Sequence, residues 1–321
     1  MNLSLVLPCY NESKQMLTTF ERLADFTLAN LPELVDRLQV VAVDDGSKDD
    51  TWEQLLTGKQ IFLAKLATCS LPVKVNLISF SRNFGKEAAM LAGLNKVSAD
   101  SEATIVLDAD LQHPLSLIPK LIECFEASGA DVVDAVKSDR GEESALNRFI
   151  TNTFYNFFDK HSRIKLRDMA DFKLISRRVR EQLLALPEHE RFFRGMTSWI
   201  GFKHAEVKFE VAERELGVSK WSFTSKVNLA NDIFFGYSRL PELGQLLLTI
   251  VACALFGIQI IYWLIAVLGF GYHLDKVDYL LFVVLMIFVS VMLSKLWQTA
   301  YLARIYRANQ KRPIYIVSRE D

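Results

Sequence analysis

Residues 105–114 read IVLDADLQHP. Ile105, Val106 and Leu107 have the texture of a buried strand, and the chain then sets two carboxylates, Asp108 and Asp110, two positions apart. Residues i and i+2 of an extended segment point to the same side. The pair therefore repels itself unless a cation lies between, one carboxyl holds a proton, or water separates the two. Asp-X-Asp alone is a weak signal, because many surface turns contain it. Here it ends an apolar strand and precedes a proline, Pro114, suited to a helix start. A hard divalent cation, Mg²⁺ or Mn²⁺, suits oxygen ligands of this kind and keeps open or hydrated positions that can bridge to a diphosphate. Two solvated carboxylates are the alternative. His113 lies beside the pair, but a lone histidine is more often structural than a ligand, and it is left out of the candidate site.

Working outward, residues 1–135 alternate between two textures. Leu3–Leu7, Leu38–Val43, Val73–Ser79, Thr104–Leu107 and Asp131–Ala135 are short Val-, Ile- and Leu-rich runs, as strands buried on both faces tend to be. Glu12–Ala29, Lys86–Val97 and Pro114–Ala127 carry helical patterns. Such alternation predicts an α/β domain, a mostly parallel sheet covered on both faces, with ligands bound beyond the carboxyl ends of the strands. Polar clusters stand at those ends: PCYNE, DDGSKDDT, SRNFGKE and DADLQHP. In the second cluster, Asp44 at a strand end can accept hydrogen bonds from a ribose hydroxyl or a base N–H. A capped turn around Gly46 and Ser47 explains the same residues, and both can hold at once. Neither GxGxxG nor GxxxxGK[ST] occurs, so neither the usual dinucleotide fold nor a P-loop is supported.

The chain has 321 residues, and its net charge of −1 gives no global reason to expect nucleic acid. Cys9, Cys69, Cys124 and Cys253 lie far apart, which indicates neither a zinc site nor a disulfide framework. The N-terminus, MNLSLVLPCYNE, has no basic n-region and is too polar for a signal peptide, so the first domain is expected in the cytosol. Mean hydropathy is +0.16, and the apolar excess lies mostly after residue 242. Leu243–Leu268 is free of charge, as is Tyr279–Leu293, which runs on past Lys295 to about Tyr301. A membrane-crossing helix needs about 20 residues to traverse about 30 Å of hydrocarbon. Both segments qualify, and the short link between them predicts a hairpin. Lys226 and Arg239 precede it, and Arg304, Arg307, Lys311 and Arg312 follow it. The positive-inside rule then puts both ends in the cytoplasm. Ser144–His161 reads as an amphipathic helix, packed on the sheet or lying at the membrane surface. The expected organisation is a cytosolic domain over 1–240, with amphipathic segments within about 144–161 and 220–240. Two transmembrane helices over 241–303 and a cytoplasmic tail over 304–321 complete it.

In this order and spacing, LVLPCYNE, VAVDDGSKDDT, SFSRNFGKEAAMLAGL and VLDADLQHP resemble family 2 glycosyltransferases of the GT-A fold. MADFKLISRRV, RFFRGMTSWIGF, VAERELGVSKW and ARIYRANQKRPIYIV narrow the resemblance to polyisoprenyl-phosphate glycosyltransferases. That group includes dolichyl-phosphate mannose synthase and the bactoprenol-phosphate glucosyltransferases with a two-helix membrane hairpin. The resemblance implies that Pro8, Tyr10 and Glu12 hold the nucleotide and that Asp44 binds the uridine or its ribose. Asp108 and Asp110, with Gln112, would hold Mg²⁺ or Mn²⁺ under the diphosphate. Asp171 would stand near the acceptor as base or positioning group, and Arg214 and Lys220 would clamp phosphate. The last pair also has a reading of its own: two cations flank a Gly-Val-Ser loop, and an acceptor phosphate needs positive partners. Arg140 and Arg148 are weaker candidates for that role, because the family pattern has Arg near position 137, where this chain has Lys137.

The implied reaction is inverting transfer of a sugar from a nucleoside diphosphate, UDP by family, to undecaprenyl or dolichyl phosphate at the inner membrane. A homo-oligomer, a tetramer among the options, is the implied assembly. Three rivals are set against it. A processive polysaccharide synthase usually carries Gln-x-x-Arg-Trp, which is absent here. A nucleotidyltransferase needs no membrane hairpin. A non-catalytic membrane scaffold or lipid carrier component needs no intact Asp-Ala-Asp.

Overall fold

The computed structural model of the protein describes residues 1–109, 113–137, 169–209, 240–269, 276–310 and 312–321. Their order is β1 (Asn2–Cys9), α1 (Ser13–Asn30), β2 (Arg37–Asp44), α2 (Thr51–Lys65), β3 (Val73–Phe80), α3 (Lys86–Lys96), β4 (Ala103–Val106), α4 (Leu117–Ser128) and β5 (Val132–Lys137). Then come β6 (Met169–Ser176), α5 (Arg177–Ala185), α6 (Phe193–Trp199), β7 (His204–Phe209), α7 (Leu240–Gly269), α8 (Lys276–Asn309) and β8 (Val317–Glu320). Residues up to Phe209, together with Arg312–Asp321, form one unit, and α7 and α8 belong to a second.

The first unit is an eight-stranded sheet in the order β7-β5-β6-β4-β1-β2-β3-β8. β1 to β4 are parallel, β6 runs against β4 and β5, and β8 runs against β3. From β1 the chain steps through β2 to β3, then returns to lay β4 on the opposite side of β1. That reversal opens a crevice at the carboxyl ends of β1 and β4, where open α/β sheets bind ligands. Pro8 helps to open it. Leu107 N–H donates to the Val6 carbonyl at 3.1 Å. The two-residue alternation turns Pro8 toward the same neighbour, and proline has no N–H with which to continue the ladder.

All five strands read from the first 135 residues are present, with no limit shifted by more than two residues. The expected helices appear as α1, α3 and α4, though Pro114 opens a turn before α4 rather than the helix itself. α2 carries no comparable apolar pattern. Its buried line runs Thr51, Trp52, Leu55, Gly58 and Phe62, and a glycine in that line is silent as a hydrophobic signal. A Cβ at Gly58 would stand 2.7 Å from the Phe20 ring, so the small residue is what lets α1 and α2 approach. Gly93 does the same for α3, where a Cβ would lie 2.3 Å from Val6 Cγ1. Apolar side chains of β1, β2 and β4 fill the core with Phe20 and Phe62, whose rings meet edge to face at 6.0 Å.

In the second unit α7 and α8 run antiparallel. Gln245 Nε2 donates to Ser294 Oγ at 3.0 Å, and Tyr279 Oη donates to the Gln259 carbonyl at 3.5 Å. Leu243–Tyr262 and Tyr279–Ala303, with hydropathy of 2.1 and 2.4, are long and apolar enough to cross a membrane.

Candidate active site

Three loops at the carboxyl ends of β1, β2 and β3 are tied to one another. After β1, Asn11 takes a left-handed backbone (φ 52°), which asparagine tolerates better than most residues. Its N–H donates to Ser47 Oγ, and its side-chain carbonyl accepts from Lys48 N–H, both at 2.9 Å. Glu12 N–H donates to Thr51 Oγ1, while the Glu12 carbonyl starts α1. Tyr10 and Glu12 are partly exposed at the crevice, and Pro8 is buried in the sheet beneath them.

Asp44 is buried. Its two oxygens accept from Ser47 N–H at 3.0 Å and from Ser79 Oγ at 2.7 Å. Each carboxylate oxygen has further lone-pair capacity for a ligand donor. Asp45 turns the other way and holds the loop after β3, accepting from Phe84 N–H at 2.6 Å and Gly85 N–H at 2.9 Å. Burial pushes its carboxyl up to about 6, against the pull of those backbone donors. Next in the chain, Gly46 (φ 62°) lies against the Arg82 backbone, where a Cβ would stand 2.2 Å from the carbonyl carbon.

Asp108 follows β4, partly exposed at the crevice. The loop is anchored from behind by Thr19 Oγ1 of α1, which donates to the Ala109 carbonyl at 2.8 Å. Lys86 Nζ, at the start of α3, lies 2.6 Å from Asp108 Oδ1 and 2.7 Å from Asp171 Oδ2. Asp171, on β6, is also gripped by Arg194 of α6, with Nε at 2.6 Å from Oδ1 and Nη2 at 2.9 Å from Oδ2. Burial opposes ionisation of Asp171, but Lys86 and Arg194 outweigh it and hold the carboxyl far below the usual carboxylate range. Glu87 faces the same cluster and accepts from Phe193 N–H at 2.8 Å. Burial and the negative Asp171 push its carboxyl up to about 8.

α6, which presents Arg194, sits on a buried ionic network. Lys173 is fully buried, 2.8 Å from Asp134 Oδ1 as an ion pair without good hydrogen-bond alignment. Its Nζ lies 3.1 Å from Thr197 Oγ1 of α6. His204 Nδ1 lies 2.6 Å from the other Asp134 oxygen.

The structure thus brings Pro8, Tyr10, Glu12, Asp44, Asp108 and Asp171 to one end of the sheet. Asp110, Gln112, Arg140, Arg148, Arg214, Lys220 and the Ser144–His161 segment lie outside the described residues. His113 stacks on Phe172 at 4.9 Å and meets Phe209 edge to face at 5.6 Å. Lys86, Glu87 and Arg194 were not singled out from the sequence, although SRNFGKE and RFFRGMTSW contain them. Among the described residues no group of three or more His, Cys, Asp or Glu side chains is placed to hold a metal. Asp108 supplies one hard oxygen donor at the strand end, of the kind a dication takes, and it is paired here with the Lys86 ammonium; the other candidate ligands, Asp110 and Gln112, lie outside the described residues.

A bactoprenol glucosyl transferase of Shigella phage SfV is 34% identical over 321 residues, covering 100% of this chain and 99% of that protein. A prophage bactoprenol glucosyl transferase homolog of Escherichia coli (strain K12) is 33% identical over 320 residues, covering 99% of each. Glucosyl-3-phosphoglycerate synthase from Mycobacterium tuberculosis, solved with Mn²⁺ and UDP-glucose, superposes with a TM-score of 0.44 at 18% identity, over 72% of this chain and 78% of that one. The glycosyl transferase family 2 model matches residues 4–183, which span β1 to β6 and most of α5. With that match and the end-to-end identity to the phage and bacterial relatives, the chain belongs to glycosyl transferase family 2 and is a glycosyltransferase of the GT-A fold.

Proposed function

We propose that the protein moves a sugar from a uridine diphosphate donor to the phosphate of a polyprenyl lipid, with inversion, at the cytoplasmic face of a membrane. The observation that carries this reading is the alignment with bactoprenol glucosyl transferase over the whole chain, both apolar helices included. The chemistry of the site agrees with it. Asp44 and the loops after β1 and β2 form the nucleotide end, with Pro8, Tyr10 and Glu12 beside it. Asp108, with Asp110 and Gln112, would hold Mg²⁺ or Mn²⁺, which when bound offsets charge growing on the leaving diphosphate.

The acceptor oxygen attacks the anomeric carbon from the face opposite the diphosphate. A phosphate monoester is already anionic near neutral pH, so the step needs no strong base. Asp171, held ionised by two cations, is poorly suited to take a proton. Its role is to orient Lys86 and Arg194 toward the negative groups of donor and acceptor. Arg214 and Lys220 clamp the lipid phosphate.

The sheet also bears on topology. β8 follows both apolar helices in sequence, yet pairs with β3. A chain that leaves this unit through two membrane crossings returns to the same side, and the basic flanks support the cytoplasm as that side.

The test is incubation of the purified full chain with labelled UDP-sugars, Mg²⁺ and undecaprenyl phosphate. Label that passes into organic solvent, and is abolished by EDTA, is the expected outcome. Label confined to a water-soluble polymer supports a processive synthase instead.

A further inference from the structure

We infer that the segment following the second apolar helix is a working part of the donor site, with Tyr315 as a positioning residue for the loop over residues 81–86. This rests on the donor reading above. β8 pairs with β3 in the register Ile78 with Glu320, Ser79 with Arg319 and Phe80 with Val317. Leu77 and Asp321 exchange both backbone hydrogen bonds, at 2.7 and 2.9 Å. The contact then continues past the end of β3: Ser81 N–H donates to the Ile316 carbonyl at 3.0 Å. The Tyr315 ring stacks on Phe80 with centroids 5.0 Å apart and planes 14° from parallel. Asn95 Nδ2 of α3 donates to its hydroxyl at 3.1 Å.

What the tail grips is the loop that builds the site. Phe80 meets Phe84 edge to face at 5.8 Å, and Arg82 lies over the Phe84 ring at 4.0 Å. Phe84 and Gly85 N–H groups are the donors to Asp45, and the loop ends at Lys86, which bridges Asp108 and Asp171. On β3 itself, Ser79, paired with Arg319 of the tail, holds Asp44. The tail therefore packs on the strand that holds the nucleotide carboxylate through Ser79 and on the start of the loop that ends at the bridging lysine.

A strand that only covered a sheet edge would need nothing beyond its ladder. β8 itself is exposed and polar and buries little. Its pairing is reinforced by ion pairs of Lys96 with Glu320, Lys59 with Asp321 at 2.9 Å and Arg319 with Glu53 at 3.5 Å. The residues just before it, Tyr315 and Ile316, make the contacts that reach the 81–86 loop. Because the tail lies beyond both apolar helices, the donor loop is fully held only once the whole chain, hairpin included, is in place.

The experiment uses the full chain in detergent, as wild type, Tyr315→Ala, Tyr315→Leu and Tyr315→Phe. Two quantities are read: amide hydrogen exchange over 81–86, with β4 as internal control, and calorimetric binding of UDP in the presence of Mn²⁺. The expected result is exchange at 81–86 faster by about tenfold in Tyr315→Ala and Tyr315→Leu, with β4 unchanged. UDP binding weakens by about tenfold in the same variants, and Tyr315→Phe, which keeps the stacked ring, restores both. Unchanged exchange over 81–86, unchanged UDP affinity, or equally faster exchange in β4 would each overturn the inference, the last by reducing the tail to a structural strand. A wild-type protein that bound no UDP would instead remove the donor reading, and the exchange comparison would still decide whether the tail holds the loop.

Discussion

Asp171 sits between two cations and lies far below the range in which a carboxylate exchanges protons near neutral pH. A positioning role and a base role differ in what substitution does. Asp171→Asn should lower kcat by about a hundredfold, because Lys86 and Arg194 lose the group that aims them. The shape of the pH–rate profile between about pH 6 and 8 should be unchanged; a lost or shifted limb there would make Asp171 the base. Glu87 gives a second test. Its folded-state carboxyl is raised to about 8 from the ordinary glutamate value of 4.5, so folding takes up a proton between those values. The stability it contributes is fully present below about pH 4.5 and is lost as pH rises through about 8. Glu87→Gln, which mimics the protonated acid, should flatten the fall in melting temperature toward alkaline pH. Asp108 was legible because it follows an apolar strand run, whereas Asp171 was reached only through the resemblance that MADFKLISRRV carries. Lys86 and Glu87 were not legible, since a charged pair opening a helix looks like a solvated turn until the fold sets α3 against β6 and α6. Arg194 was hidden for the same reason, in a short helix whose partner carboxylate, Asp171, lies 23 residues away in sequence.

At the level of elements, α6 can aim Arg194 only if its own seat is fixed. That seat is the Lys173–Asp134–His204 network, which joins β5, β6 and β7 and reaches α6 through Thr197. Removing one partner of a buried ion pair costs about 3–5 kcal/mol, whereas replacing both by apolar groups is often neutral. Lys173→Met should therefore depress the melting temperature strongly, and Lys173→Met with Asp134→Leu should recover much of the loss. A single variant as stable as wild type would show that the network does not fix α6. Lys173 alternates with Phe172 and Leu174 in a strand that otherwise reads as apolar, so a pattern-based reading has no reason to bury it. The parallel strands were legible because burial on both faces leaves a continuous apolar run. β8 was not, because VSRE is polar and exposed and pairs through its backbone, which leaves no hydrophobic trace.

Across the whole molecule, the sequence gives two apolar helices, and the sheet adds that the tail returns to the domain from which the chain departed. Protease-sensitive tags at residue 1 and after residue 321 should therefore be cleaved from the same side of sealed vesicles, with a tag at 270–275 protected on that side. Tags at the two termini on opposite faces would contradict the pairing of β3 with β8. The central claim is that a carboxylate site at the β1–β4 crevice drives inverting sugar transfer to a lipid phosphate. Its most direct test is the anomeric configuration of the product formed from UDP-glucose and undecaprenyl phosphate by wild type and Asp108→Asn. Wild type should give a β-linked lipid-phosphate sugar from the α-linked donor, and the variant should give no product. An α-linked product, or undiminished synthesis by Asp108→Asn, would contradict the claim.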